Sequence, residues 1–333
     1  MSNDRPRRPT IIDVAAEAGV SKSLVSLALR GDDGVSETTR RRILAAADRL
    51  GYRSNTVARA LVQGRTGQIG VIVTDLRNPY HSEVALGVEK AAEDAGLGTF
   101  LANGRRDADR MAAHVDSLIG HNVEGLVVVS SRVDTAVLAA AAERLPVVVV
   151  GRPEILPDRI DSVAGDDESG ARLAVEHLVS LGHTDIAFAS ASTRPAARAR
   201  HRGYAAALAD AGLEAAEAVA VPIEGGTGEA DDLLRGGATA VLSNNDLLAV
   251  ELLNRGHEIG VVAPDRISIV GYDNTELAAR VWPRLTSVDQ RRTALGRTAL
   301  SMLSERIAGR TAARREVIAP GLVVRDSTAT PKE

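Results

Sequence analysis

A chain of 333 residues, 44% apolar and 25% charged, is long enough for two or three domains and too apolar for wholesale disorder. It has no cysteine, which excludes disulfides, thiol nucleophiles and cysteine-ligated zinc. Its net charge of −4 is unevenly spread: residues 1–65 hold 12 Lys and Arg against 7 Asp and Glu, the remainder 28 against 37, so a small basic head sits on an acidic body and points to a polyanion as the head's partner. The three lysines, Lys22, Lys90 and Lys332, never follow a glycine, so there is no P-loop. Neither H-E-x-x-H, G-x-S-x-G nor G-x-G-x-x-G occurs, and Gly225, Gly226 and Gly228 read as a loop. No cofactor and no metal are expected. No apolar run approaches the roughly 18 residues of a membrane helix, and the polar, basic start has no apolar core of a secretory signal. The expectation is a cytoplasmic protein with no membrane partner.

From the amino terminus, Thr10 is predicted to cap a short helix over Ile11–Ala18, with Asp13 in the first turn where the helix dipole favours an anion. Gly19 supplies the left-handed residue that ends it, Val20 packs inward, and Ser21 caps a second helix from Lys22 to about Leu29. Two short helices across a tight glycine turn make a helix-turn-helix. In the second helix Leu24, Val25 and Ala28 form the buried side. Lys22, Ser23, Ser26, Leu27 and Arg30 form an exposed stripe of the kind that enters a DNA major groove; the bland alternative is a helical hairpin with a solvated face. A third helix is capped by Ser36, carries Ile43, Leu44, Ala47 and Leu50 at helical spacing, and stops at Gly51. Arg40, Arg41 and Arg42 near its start either touch phosphate or form a solvated charge run. Ser54 to Gly64 reads as a hinge. Asn55 can cap a helix over Thr56–Val62 with Val57, Ala58 and Leu61 on one side, too short to be stable alone in water.

From Gln68 on, apolar runs at Ile69–Val73, Leu126–Val129, Val147–Val150, Ile186–Ala189, Ala240–Leu242 and Ile267–Val270 read as buried parallel strands. Alanine-rich helical stretches lie between them: Ser82–Ala95, Asp109–His121, Ser169–Leu181, Arg198–Ala211, Asp246–Arg255 and Arg291–Ile307. This is a doubly wound α/β pattern, and its length exceeds one compact unit, so two similar lobes are expected with a ligand outside the carboxyl ends of the strands. Polar groups follow those ends: Asp75 to Tyr80, then Arg194, Arg198 and Arg200, then Asn244 to Asp246, then Gly271 to Asn274. Asp, Asn and Arg bond hydroxyls in pairs, which suits a polyhydroxylated ligand. Asn78 and Asp246 either cap the following helix or contact ligand. Tyr80 and Trp282 are either aromatic walls or plain core. With seven Phe, Tyr and Trp in the chain, strong stacking has few candidates.

Thr10-Ile11-Ile12-Asp13-Val14-Ala15, Ala18-Gly19-Val20-Ser21, Val25-Ser26, Val35 to Arg40 and Leu50 to Asn55 together resemble the headpiece of the lactose/galactose repressor family, and the resemblance runs through the chain. It implies an all-α helix-turn-helix headpiece over 1–53, a hinge over 54–66, and a two-lobed, periplasmic-binding-protein-like effector and dimerisation domain over 67–333. The chain would cross between lobes near Gly165, Asp289 and Pro320, giving lobe 1 about 67–164 and 290–319 and lobe 2 about 165–289 and 320–333. The family register makes Lys22, Ser23 and Leu27 the base readers, with Thr10, Ser21, Ser26, Asn55 and Ala58 completing the DNA-contacting set and Leu61 a wedge into the minor groove. Leu27 departs from the polar or basic residue usual there, and a leucine can pack on a thymine methyl but cannot bond a guanine. For the effector, Asp273, Arg200, Arg194 and Asn245 match ligand-contacting positions of relatives. His81 and Leu242 depart from the aromatics often found at their places.

The implied function is an effector-controlled transcriptional regulator, a repressor of a carbohydrate or nucleoside catabolic operon, with double-stranded operator DNA and a sugar or nucleoside as partners. A global regulator using a phosphocarrier co-repressor is the variant of this reading. A solute-binding protein, or an enzyme built on Asp273 and His81, is the rival from another class. A near-palindromic operator wants a two-fold homodimer, and after Val324 there is no leucine heptad of the kind that makes tetramers.

Overall fold

A computed structural model describes residues 9–30, 32–52, 65–129, 132–222 and 226–332. The chain divides into two compact units, Met1–Thr66 and Gly67–Glu333.

The first unit holds three helices, Ile11–Ala18, Lys22–Arg30 and Glu37–Arg49. Each starts where a side chain satisfies an otherwise orphan amide. Thr10 and Asp13 form a reciprocal capping box: the Thr10 amide donates to the Asp13 carboxylate at 2.7 Å, and the Asp13 amide donates back to the Thr10 hydroxyl at 3.4 Å. Ser21 accepts from the Leu24 amide at 3.2 Å, and Ser36 from the Thr39 amide at 3.3 Å. Gly19 ends the first helix at φ 61°, a left-handed conformation that a Cβ would penalise. The helices close on one small core in which Val14, Val25 and Ile43 are wholly buried.

Arg40 has a specific task that its place in the Arg40–Arg42 run does not announce. Its guanidinium donates to the carbonyl of Ala28 at 2.8 Å and to that of Asp32 at 2.5 Å. It thereby ties the end of the second helix to the third, and its charge is set against the carbonyls that a helix C-terminus leaves unpaired. Removing this clamp should loosen the second helix: in Arg40→Ala, amide exchange over residues 22–30 of the full chain should quicken by about tenfold, while exchange in the strand at 69–73 stays as it was. Unchanged protection of the second helix would refute the clamp.

The second unit is built on two six-stranded sheets. The first runs, edge to edge, Arg315–Ile318, Asp161–Gly165, Val147–Val150, Leu126–Val129, Gln68–Val73 and Gly98–Asn103, all parallel. The second runs Gly321–Val323, Thr286–Asp289, Ser268–Asp273, Ala240–Ser243, Ile186–Ser190 and Val219–Ala220, parallel except for its antiparallel first strand. Strand periodicity explains the helices on both faces. Val127, Val129, Val148 and Val150 face one core, whereas Leu126, Val128, Val147 and Val149 face the other. Helix Arg292–Ile307 covers the first sheet beside helix Pro79–Asp94. The two backbones approach so closely that a Cβ on Gly296 would stand 2.3 Å from the carbonyl oxygen of Val84. The chain passes from first sheet to second after Gly165, back after Asp289, and over again between Ile318 and Gly321.

Several elements carry no apolar run and are absent from the sequence pattern. Strand Thr286–Asp289 is polar yet its first three residues are buried, because its hydroxyls have tertiary partners: Ser287 donates to Asp246 at 2.6 Å, and Thr286 accepts from the Arg325 amide at 2.9 Å. Strand Gly98–Asn103 lies at the sheet edge with Phe100 and Leu101 exposed. Among the described residues, no helix is long and apolar enough to cross a membrane.

Candidate nucleic-acid interface and ligand cleft

In the first unit the second helix turns Val25 and Ala28 into the core. Lys22 and Ser23 are exposed at its N-terminal end, and Ser26 and Leu27 are half-buried one turn further along. No acidic residue stands in that first turn. The positive end of the helix dipole therefore adds to the Lys22 ammonium, a combination that attracts phosphate. The Thr10 hydroxyl donates to Asp13 at 2.7 Å, and that of Ser21 serves as a cap, so both residues shape the start of a helix. Asn55, Ala58 and Leu61 lie outside the described residues.

In the second unit a cavity of about 430 Å³ opens between the sheets at the carboxyl ends of their strands. The first sheet contributes Thr74, Val129, Val150 and Gly165; the second contributes Asn244 and Asp273. Of the candidate effector residues, Tyr80, Arg194, Arg200, Asn245 and Asp273 line it. Trp282 does not. It lies in the connection after helix Glu276–Arg280, is 86% exposed, and is neither a wall of the cleft nor part of the core.

Arg200 is the centre of the polar network. Its Nε donates to Asp167 at 3.0 Å, it also donates to the carbonyl of Asn244, and its guanidinium lies 3.7 Å from the centroid of the Tyr272 ring. A carboxylate oxygen of Asp273 is 3.8 Å away. Burial pushes the Asp273 carboxyl above the usual carboxylate range, against the opposing pull of Arg200. Gln290 donates to that carboxylate, and Arg292 donates to the Asp273 backbone carbonyl. Arg292 also pairs with Glu83 at 2.6 Å, and Glu83 accepts from the Glu276 amide at 3.1 Å. These contacts connect the two lobes beside the cavity.

Four further side chains have settled roles. His81 is held neutral, its pKa lowered to about 4 by burial. Its Nδ1 lies 3.1 Å from the Asp75 carbonyl and so carries the proton, which makes Nε2 an acceptor. Asn78 caps helix Pro79–Asp94 by accepting from the Tyr80 amide at 3.0 Å, and it also lines the cleft. Asn245 caps helix Asp246–Ile259 through its Oδ1, leaving its NH₂ as the donor. Asp246 neither caps a helix nor lines the cleft. Burial pushes its carboxyl up to about 6, and it accepts from the Thr275 amide at 2.7 Å, the Thr275 hydroxyl at 2.9 Å and Ser287 at 2.6 Å. The Asn244 Oδ1 is buried without a partner among the described residues.

Sequence reasoning missed Arg106, Arg132, Arg152, Asp167 and Gln290, all of which line the cleft. Arg106, Asp167 and Gln290 follow the strands Gly98–Asn103, Asp161–Gly165 and Thr286–Asp289, which have no continuous apolar run. Arg152 follows a predicted strand directly and was legible by the same rule that found Arg200.

A capped helix-turn-helix in one unit, and a cleft between parallel sheets in the other, define a DNA-binding transcriptional regulator built on a ligand-binding fold. Residues 10–55 match the bacterial regulatory proteins of the lacI family, and residues 175–328 match the periplasmic binding protein-like domain. The chain belongs to the lacI family. It is 34% identical over 330 residues to the HTH-type transcriptional repressor PurR of Photobacterium profundum, covering 96% of this chain and 98% of that one. Among solved structures, the lac repressor dimer bound to operator and the anti-inducer ONPF is 27% identical, with a TM-score of 0.85 over 97% of this chain and all of that one. The transcriptional regulator CelR in complex with cellobiose is 29% identical, with a TM-score of 0.71 over 96% and 100%.

Replacing Asp246 tests the network behind the cleft. Asp246→Ala leaves two hydroxyls and an amide without their acceptor and should lower the unfolding free energy by about 2–4 kcal/mol, read from urea denaturation. A loss below about 0.5 kcal/mol would show that water replaces the carboxylate freely.

Proposed function

We propose that this chain is an effector-controlled repressor that acts in the cytoplasm by binding and not by catalysis. Two copies hold a near-palindromic operator, and a small polyhydroxylated molecule in the cleft biases the affinity. The observation that carries the DNA half is the exposed Lys22–Ser23 pair at the start of the second helix of a helix-turn-helix. Lys22 and Ser23 read base edges, and Leu27 packs on a thymine methyl one turn along. Ser26 completes the contact face, while Thr10 and Ser21 present their helix starts to phosphate. Asn55 and Ala58 belong to a hinge whose Leu61 wedges into the minor groove and kinks it. The effector rests on Arg200, Asp273 and Asn245, with Tyr80 as wall and Arg194 at the rim. A ligand shifts DNA affinity only if it favours one lobe arrangement over another.

Selection of DNA sites from a random pool tests the first half. The wild type should enrich a near-palindrome and bind it with an affinity that falls linearly in log salt. Lys22→Ala or Ser23→Ala should change the enriched bases, each at a cost of about 1–3 kcal/mol for the original site. Equal affinity for the selected site and random duplex at physiological salt would refute the reading.

The two-fold operator requires a dimer, and the helix predicted from sequence over 56–62 is too short to hold one alone. The lac repressor, similar over the whole chain, is a dimer on its operator. Sedimentation equilibrium at micromolar concentration should give about twice the chain mass. A monomer would overturn the two-fold operator, and a stable tetramer would overturn the single-operator assembly.

A further inference from the structure

The side chains around the cavity are not balanced for a neutral ligand. Five arginines line it, Arg106, Arg132, Arg152, Arg194 and Arg200, against two carboxylates, Asp167 and Asp273. Asp167 is shared: Arg200 pairs with it at 3.0 Å and Arg152 at 3.4 Å. Arg106 pairs with buried Asp75 at 3.0 Å, and Asp75 also serves Arg77. The side chain of Arg194 makes no hydrogen bond or ion pair among the described residues. Arg194 and Arg106 both stand near enough to Arg132 to repel it. After burial, the charges of Arg194 and Arg106 are what hold the Arg132 guanidinium below its usual range.

The backbone adds to this field. Arg194 is the N-cap of the sixteen-residue helix Pro195–Asp210 and makes no side-chain cap; Pro195 has no amide proton, so the helix's first donor is the amide of Ala196, a residue that lines the cleft. The Arg194 charge at the positive end of a helix dipole is unfavourably placed, and an anion at the site would offset that repulsion. A neutral sugar relieves none of that repulsion. Deeper in, Asn244 is 6% exposed with its Oδ1 unpartnered, an acceptor suited to a hydroxyl donor.

We infer that the effector is an anionic polyol, a sugar bearing a phosphate or a carboxylate. Arg132 and Arg194 hold its charge at the exposed end, and Asn244, Arg200 and Asp273 hold its hydroxyls in the buried end. This rests on the proposed reading of the cleft as the effector site and narrows its ligand class. Arginine suits the task because its planar fork matches the oxygens of phosphate and carboxylate alike.

The test is calorimetry on the full-length protein with matched series: glucose, glucose 6-phosphate and gluconate; ribose and ribose 5-phosphate; adenosine and its 5′-monophosphate. In one series an anion should bind at least about tenfold more tightly than its neutral parent, and the phosphate and carboxylate members show which oxyanion is preferred. Arg194→Gln, a change at an exposed side chain, should remove about tenfold of the anion's affinity and leave that of the neutral parent within about twofold. Arg132→Gln should do the same, with a melting temperature no lower than that of the wild type showing that both variants fold. A neutral parent that binds as well as its anions, with both variants indifferent, overturns the anionic effector and leaves the effector cleft standing. Absence of binding throughout the panel overturns both.

Discussion

Arg200 carries a full positive charge into a position where 7% of its surface is exposed, and the second unit is arranged around satisfying it. Desolvating a guanidinium costs several kcal/mol, and its partners must offset that cost with directed contacts. They come from separate parts of the lobe: Asp167 at the start of one helix, the Asn244 carbonyl after one strand, and the Tyr272 ring and Asp273 at the end of another. Tyr272 in turn donates to the Asp167 carbonyl at 3.3 Å, and its hydroxyl comes so near Gly170 that a Cβ there would lie 2.1 Å away. One buried charge thus fixes the relative position of two helices and two strand ends. Those strand ends are the floor of the cleft, so the same contacts that stabilise the lobe pre-set the ligand site.

The two units meet the demand for specificity by different means. The headpiece is small, with one compact core, and depends on local chemistry: a capping box, two serine caps, a left-handed glycine and the Arg40 clamp. Its functional side chains are those the core leaves outside. The body has apolar cores on both faces of each sheet and places its functional groups where strands end. There, backbone amides and carbonyls of the ladder run out and side chains must take over.

This difference decides what can be read from sequence. Thr10, Gly19, Ser21 and Ser36 act within a few residues of themselves, so the headpiece helices are legible almost to the residue. Leu126–Val129 and Val147–Val150 are legible because burial on both faces demands unbroken apolar runs. Strand Thr286–Asp289 is not, since its hydroxyls are satisfied by Asp246 and by the Arg325 amide, partners about 40 residues distant. The same reason hides Gln290 and Asp167. Trp282 shows the converse error: read as an aromatic wall or plain core, it is neither, because side-chain direction depends on the turn that carries it, and here the ring faces water.

Asp273 belongs to two networks through different atoms. Its carboxylate faces the cavity and meets Gln290 and Arg200, whereas its backbone carbonyl accepts from Arg292, which in turn holds Glu83. Its backbone sits at φ 110°, a region uncommon for any residue with a side chain. An aspartate-to-asparagine exchange alters the hydrogen-bonding groups offered to a ligand while keeping the backbone carbonyl that links the lobes. A substitution at this one position can thus change what the cleft offers a ligand without removing the backbone contact that links the lobes.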